Sequence, residues 1–168
     1  MSSVDSGGNS NRGGLIDGRS EFTLALRQAL AQAVRARERE LVLVDPDFES
    51  WPLDDAQVLA ALDTWARQPK RKLLMVASNF QALARRCTRF TEWRGTFAHV
   101  VGAFVTEVEE SQVPSLLLAG PASLMLADRL RWRGHRLDND KEVADWREVV
   151  DVLLQRSEPG FGANTLGL

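Results

Sequence analysis

The sequence predicts an α/β fold, a mixed and mainly parallel sheet between helical layers with a late antiparallel hairpin. Three observations carry this expectation. Leu41–Val44 and Leu73–Ala77 are continuous apolar runs, as strands covered on both faces require. Segments with apolar residues at helical spacing precede, separate and follow them. Ser115–Ala119 and Ser123–Ala127 are joined through Gly120-Pro121, which reads as a hairpin.

Each element has its own grounds. Residues 1–14 hold four Ser, four Gly and two Asn, so they have little to bury and read as a disordered leader. The first helix is expected from Ser20 to Glu38, with Phe22, Leu26, Ala29, Leu30, Ala33 and Val34 on one face. Ser20 is its expected cap, and the arginines from Arg35 to Arg39 suit the negative end of its dipole. The Leu41–Val44 strand stops at Asp45-Pro46-Asp47, because proline removes a ladder donor.

The second helix is expected from Asp54 to Arg67, capped by Asp54 or Asp55 and stopped by Pro69. A third begins after Ser78 or Asn79, with Phe80, Leu83, Ala84 and Cys87 inward. Val100–Val108 reads as a strand, and another short strand follows around Leu130–Leu137. The last helix starts near Asp140 and ends at Pro159-Gly160. The βαβαβ part demands parallel pairing, since parallel strands need a crossover. One domain over 15–159 and a tail over 160–168 follow. Trp65, Trp146, Leu62, Leu74, Val76, Leu117 and Val150 are the expected core.

Composition narrows the function. The net charge of −2 exerts no global pull toward nucleic acid or anionic membrane. A single cysteine, Cys87, excludes an intramolecular disulfide and fits a reducing, cytoplasmic setting. With only His99 and His135 beside it, a standard structural zinc site cannot be assembled. There is no signal-peptide pattern and no apolar stretch long enough to span a bilayer. No phosphate loop or hydrolase elbow is present.

Asp17-Gly-Arg-Ser-Glu-Phe22, Glu40-Leu-Val-Leu-Val-Asp-Pro-Asp-Phe48 and Leu153-Leu-Gln-Arg-Ser-Glu-Pro159, taken in this order of elements, carry a resemblance. Over Leu15–Pro159 the chain resembles one half of the phospholipase-D-like fold, and most closely a degenerate bacterial domain of unknown function. Active enzymes of that family carry His-x-Lys-x-x-x-x-Asp on the hairpin. Here no His or Lys lies between Val100 and Arg133. The resemblance therefore implies the scaffold without the chemistry. It also implies a homodimer, since the family pairs two halves, with the hairpin Ser115–Ala127 or its flanking strands at the interface.

Two groups of residues are candidate ligand or anion sites. Asp45 and Asp47, with Glu49, lie past the end of a parallel strand, where α/β proteins bind ligands and where carboxylates can hold Mg²⁺. The plainer reading is a turn in which aspartate caps and proline stiffens. Arg129, Arg131 and Arg133 alternate with Leu130 and Trp132, which on a strand sets three guanidinium groups on one face. His135 is close by. The plainer reading there is a charged edge strand that resists aggregation. Arg85, Arg86, Arg89 and Arg94 read as a solvated helix face, and Cys87 as a small buried hydrophobe.

The expected function is a non-catalytic binding or assembly module without a cofactor. It would act as a homodimer or with an unknown protein partner, away from membranes. The alternative is a phosphodiester-acting or nucleic-acid-binding protein that uses the Arg129–Arg133 strand with Asp45 and Asp47, although the net charge disfavours nucleic acid.

Overall fold

The structure, a computed structural model, describes residues 14–160. Its elements are β1 (Leu15–Asp17), α1 (Arg19–Arg35), β2 (Glu40–Val44), α2 (Ala56–Ala66), β3 (Lys72–Ala77), α3 (Gln81–Arg86), α4 (Thr88–Thr96), β4 (Val101–Thr106), β5 (Ser115–Leu118), β6 (Leu124–Asp128), β7 (Arg133–Arg136), α5 (Asp140–Gln155) and β8 (Ser157–Pro159). The expected leader and most of the expected tail lie outside the described residues.

Among the described residues the strands form one sheet in the order β1-β7-β6-β5-β2-β3-β4-β8. β2 and β3 are adjacent and parallel, with Leu41 opposite Leu73 and Val42 opposite Leu74. β4 continues the parallel set. β5 and β6 form the expected hairpin, with Leu116 opposite Met125 and Leu117 opposite Leu124. The sheet is mixed as expected, but it is not mainly parallel. Its other pairings, β1–β7, β2–β5, β4–β8, β5–β6 and β6–β7, are all antiparallel. The difference comes from the edges and from the β5–β6–β7 meander, whose short turns permit only antiparallel neighbours. β1 and β8 have three residues each, too few for an alternation to register, and β8 contains Pro159, which an edge strand tolerates.

Two apolar layers flank the sheet. On one face Leu41, Leu43, Leu73 and Met75 meet Phe22 and Leu26 of α1, Leu62 and Trp65 of α2, and Phe90 of α4. On the other, Val42, Val44, Leu74, Val76, Leu116 and Leu118 meet Val150 and Leu153 of α5. Of the expected core only Trp146 fails, being half-buried. Among the described residues α5 is the helix that covers this face of the sheet, and Trp146 packs at the margin of that layer.

The helix ends show how local chemistry set the boundaries. Ser20 does not cap α1. Gly18 occupies that position with φ 105°, and the Glu21 carboxylate accepts from the Asp17 N–H at 2.6 Å instead. Asp55 caps α2, accepting from the Gln57 and Val58 N–H groups at 3.1 and 3.0 Å. Its neighbour Asp54 serves a different helix, accepting from Arg89 and Phe90 N–H groups in the first turn of α4. The expected third helix is two short ones, broken at Cys87, whose ψ of 70° lies outside the helical range.

Candidate functional site

The parallel strands β2, β3 and β4 give the molecule a carboxyl edge and an amino edge, and both carry clusters of charge. At the carboxyl edge Asp45 follows β2 and is fully buried. Its carboxylate accepts from the backbone N–H groups of Asp47 and Phe48, from Trp51 Nε1 at 3.1 Å and from Arg129 Nη2 at 3.2 Å. The same Arg129 nitrogen also donates to Asp47, and Trp51 Nε1 is shared with Ser115 Oγ at 3.1 Å. Burial works to lower the Arg129 pKa, but the two carboxylates outweigh it and hold the guanidinium above its ordinary value. A buried charge is tolerated only when paired, and Asp45 and Asp47 supply that pairing through Nη2, while Arg129 Nε is buried without a hydrogen-bond partner among the described residues.

Asp45 and Asp47 therefore fasten the loop from Pro46 to Leu53 onto the sheet. Phe48 in that loop takes a left-handed φ of 58°, held by ring contacts to Trp51 and Phe80. Among the described residues no group of three His, Cys, Asp or Glu side chains is placed to hold a metal ion. The turn reading of this acidic segment fits the geometry; the Mg²⁺ reading has no ligand set.

The arginines beyond it do not share a strand face. β6 ends at Asp128, and residues 129–132 form the turn to β7. Asp128 drives that turn, because its carboxylate accepts from the Leu130 and Arg131 N–H groups. Arg129 points inward to Asp45 and Asp47. Arg131 lies outside on Asp128 at 3.1 Å, and Arg133 lies across the β1–β7 pair on Asp17 at 3.1 Å. Trp132, at φ 53°, donates from Nε1 to the Ser50 carbonyl and carries the Arg19 guanidinium over its ring at 5.8 Å. His135 meets Glu142 through Nε2 at 3.1 Å. Each of these charged groups already has a partner within the chain.

The amino edge differs. Residues 35–40 and 67–72 contain seven cations, Arg35, Arg37, Arg39, Arg67, Lys70, Arg71 and Lys72, against the two carboxylates of Glu38 and Glu40. The sheet brings these segments together, since Glu40 pairs with Lys72 and the Lys72 N–H donates to the Arg39 carbonyl at 3.0 Å. Glu40 is engaged by Arg147 of α5, and Asp63 engages Arg67 at 2.8 Å. Among the described residues no carboxylate pairs with Arg35, Arg37, Arg39, Lys70, Arg71 or Lys72. A recess beside the α2–β3 turn is lined by Arg67, Lys70, Arg71, Phe97 and His99.

Two of these cations occupy backbone positions that suit glycine. Arg37 follows α1 at φ 56°, with its N–H on the Val34 carbonyl and the next N–H on Ala33, the geometry of a Schellman cap. Lys70 takes φ 59° in the turn before β3. A side chain there costs about 1–2 kcal/mol relative to an unstrained position. The basic run at the end of α1 was legible, as a partner for the helix dipole. Its neighbour Arg67–Lys72 lacked a signal, because the two segments meet only through the β2–β3 pairing.

The remaining sequence candidates are structural. Cys87 is a free, buried thiol whose pKa is raised by burial and by Asp54. Ser123 Oγ stitches the β5–β6 turn by accepting from Ala119 N–H and donating to the Gly120 carbonyl. No helix among the described residues is long and apolar enough to cross a membrane.

No protein-family model and no curated protein matches the chain. Among solved structures the chain is similar to TrmBL2, described as an archaeal chromatin protein whose structure shows a novel mode of DNA binding. The TM-score is 0.60 at 14% identity, over 86% of this chain and 52% of TrmBL2, so the chain spans about half the length of that protein. At this identity the likeness concerns the fold. It replaces the phospholipase-D-like resemblance, because the neighbour found for this fold is a chromatin protein. The bacterial origin implied by that resemblance has no support either, the neighbour being archaeal. The motif segments quoted for the resemblance are short strands and turns, which many α/β sheets contain.

Proposed function

We propose that this chain is a nucleic-acid-binding module that lays the phosphate backbone of duplex DNA along the amino edge of its sheet. The observation that carries the reading is the cluster of six cations without carboxylate partners, Arg35, Arg37, Arg39, Lys70, Arg71 and Lys72, drawn from two segments. Phosphate contacts of this kind supply affinity without sequence information. The fold-level likeness to a DNA-binding chromatin protein supports the same reading.

The net charge of −2 does not oppose it, because a local field of one sign is enough to attract a polyanion. Binding through the Arg129–Arg133 segment is not part of the reading, since those arginines are occupied within the chain. The expected homodimer rested on the phospholipase-D-like resemblance. Of its expected interface, the β5–β6 hairpin or its flanking strands, the hairpin lies inside the sheet between β2 and β7.

Fluorescence anisotropy with a labelled duplex of about 20 base pairs, titrated across salt concentrations, tests the reading. Six phosphate contacts should give a slope of about −5 for log K against log salt. Affinity that is absent at 50 mM salt, or that does not change with salt, would contradict it.

A further inference from the structure

The recess beside the α2–β3 turn differs from the rest of the amino edge in being concave. Its volume is about 580 Å³, and it lies where that turn meets the segment between α4 and β4. Ala66, Phe97 and Val100 supply apolar walls, and Lys70 and His99 line it from exposed positions. Among the described residues no carboxylate lines it. The nearby backbone carbonyls already accept, those of Asp63 and Trp65 from the Arg67 and Gln68 N–H groups and that of Phe97 from Val100 and Val101.

The charges of the recess are engaged to different degrees. Arg67 is neutralised by Asp63 at 2.8 Å and lies over the Phe97 ring at 5.5 Å. Arg71 donates to the Pro69 carbonyl at 2.8 Å and to the Gln68 side chain. Both acceptors are neutral, so the Arg71 charge stands uncompensated. Lys70 has no side-chain partner among the described residues, and His99 has the Phe97 ring beside it at 6.1 Å. Lys70 holds its place at φ 59°, a conformation that favours glycine. Strain that sets an unpaired cation beside a recess points to a use for that cation.

Shape decides which phosphate fits. A backbone diester is flanked by two sugars, so it meets the edge cations from outside. A phosphomonoester has one ester bond, three free oxygens and about 1.5 to 2 negative charges near neutral pH, so it can enter. Lys70 offers three donors and His99 a ring N–H, and the apolar walls strengthen the attraction by lowering the local dielectric. We propose that this recess binds a phosphomonoester, the 5′-phosphate at the end of a DNA strand, directly on Lys70 and His99 with the Arg71 charge behind them. The choice of a DNA end rests on the proposed function, whereas the recess itself requires only the phosphomonoester.

Two duplexes of one sequence, ending in 5′-phosphate or in 5′-hydroxyl, are compared by anisotropy with the full chain. The phosphorylated duplex should bind about tenfold more tightly, the worth of one charge-assisted hydrogen bond. Lys70→Gly, which also relieves the backbone, should abolish most of that preference, and His99→Ala should reduce it. Thymidine 5′-monophosphate and its methyl phosphodiester are the probes without a duplex. In ¹H–¹⁵N correlation spectra the monoester should give saturable shifts at residues 66–71 and 97–100, and the diester should not. Saturable monoester shifts there without duplex binding would support the recess and sink the reading of the amino edge as a DNA surface. Salt-dependent binding of both duplexes with equal affinity would overturn the recess proposal and leave that reading standing. A preference that survives Lys70→Gly, or equal shifts from the two thymidine probes, would also overturn it.

Discussion

The carboxyl and amino edges of the parallel strands are both rich in charge and use it in opposite ways. At the carboxyl edge Arg129, Asp45 and Asp47 neutralise one another, with Trp51 and Ser115 completing the hydrogen bonds. Charge there holds a loop in place. At the amino edge Glu40 is drawn off to Arg147 and Asp63 takes Arg67, while Glu38 remains beside six cations without a carboxylate partner among the described residues, five of them exposed and Arg71 half-buried on Gln68 and the Pro69 carbonyl. The difference teaches that charge counts along a sequence do not identify a binding surface. What identifies it is which charges lack partners once the chain has folded.

The sharpest break in this comparison should come from Asp45→Ala. It leaves the Asp47 and Phe48 N–H groups without their side-chain acceptor and takes one of two acceptors from Arg129 and from Trp51 Nε1, so urea unfolding should show a loss of about 3–5 kcal/mol. A loss under about 1 kcal/mol would show that the carboxyl-edge network is decorative. Trp65→Ala should cost about as much, 3–5 kcal/mol, because Trp65 is fully buried and its Nε1 donates to the Glu38 carbonyl behind the amino edge. Trp146→Ala, half-buried beside α5, should cost about 1–2 kcal/mol. Equal losses for the two tryptophans would mean that α5 packs more tightly than its exposure indicates.

A smaller effect separates a structural ion pair from the open cations. The hydrogen bonds from Arg27 come first among the causes that lower the Asp55 pKa, and its capping bonds to Val58 and Gln57 add to them. A depressed folded pKa means that the stabilisation is complete above the unfolded value of about 3.9 and is lost as pH falls through the folded value. Asp55→Ala should therefore cost about 1 kcal/mol at pH 6, and the gap from the parent should narrow below pH 4. A gap that stayed constant from pH 6 to pH 2.5 would remove the linkage.

The sequence made the central fold legible where patterns are long. The runs Leu41–Val44 and Leu73–Ala77 declared buried parallel strands, and Gly120-Pro121 declared the hairpin. The edges were hidden, because β1 and β8 take their pairing from β7 and β4 rather than from their own composition. Arg129–Arg133 alternates as a strand would, yet the Asp128 carboxylate captures two backbone N–H groups and folds the segment into a turn. Asp45 and Asp47 were found as residues but not as partners of Arg129, which lies more than eighty positions away. The cationic edge escaped for the same reason, since its two segments are made neighbours only by strand register.

The most direct test of the two-edge account is to replace the two left-handed cations with the residue that their backbone prefers. Arg37→Gly with Lys70→Gly removes two charges and relieves two strained positions, so the thermal midpoint should hold or rise. The log–log salt slope of duplex DNA binding, read by anisotropy, should become shallower by about 2. Arg131→Ala with Arg133→Ala at the other edge should leave that slope unchanged. A glycine pair that binds DNA as the parent does, or an Arg131 and Arg133 pair that carries the loss instead, would contradict the account.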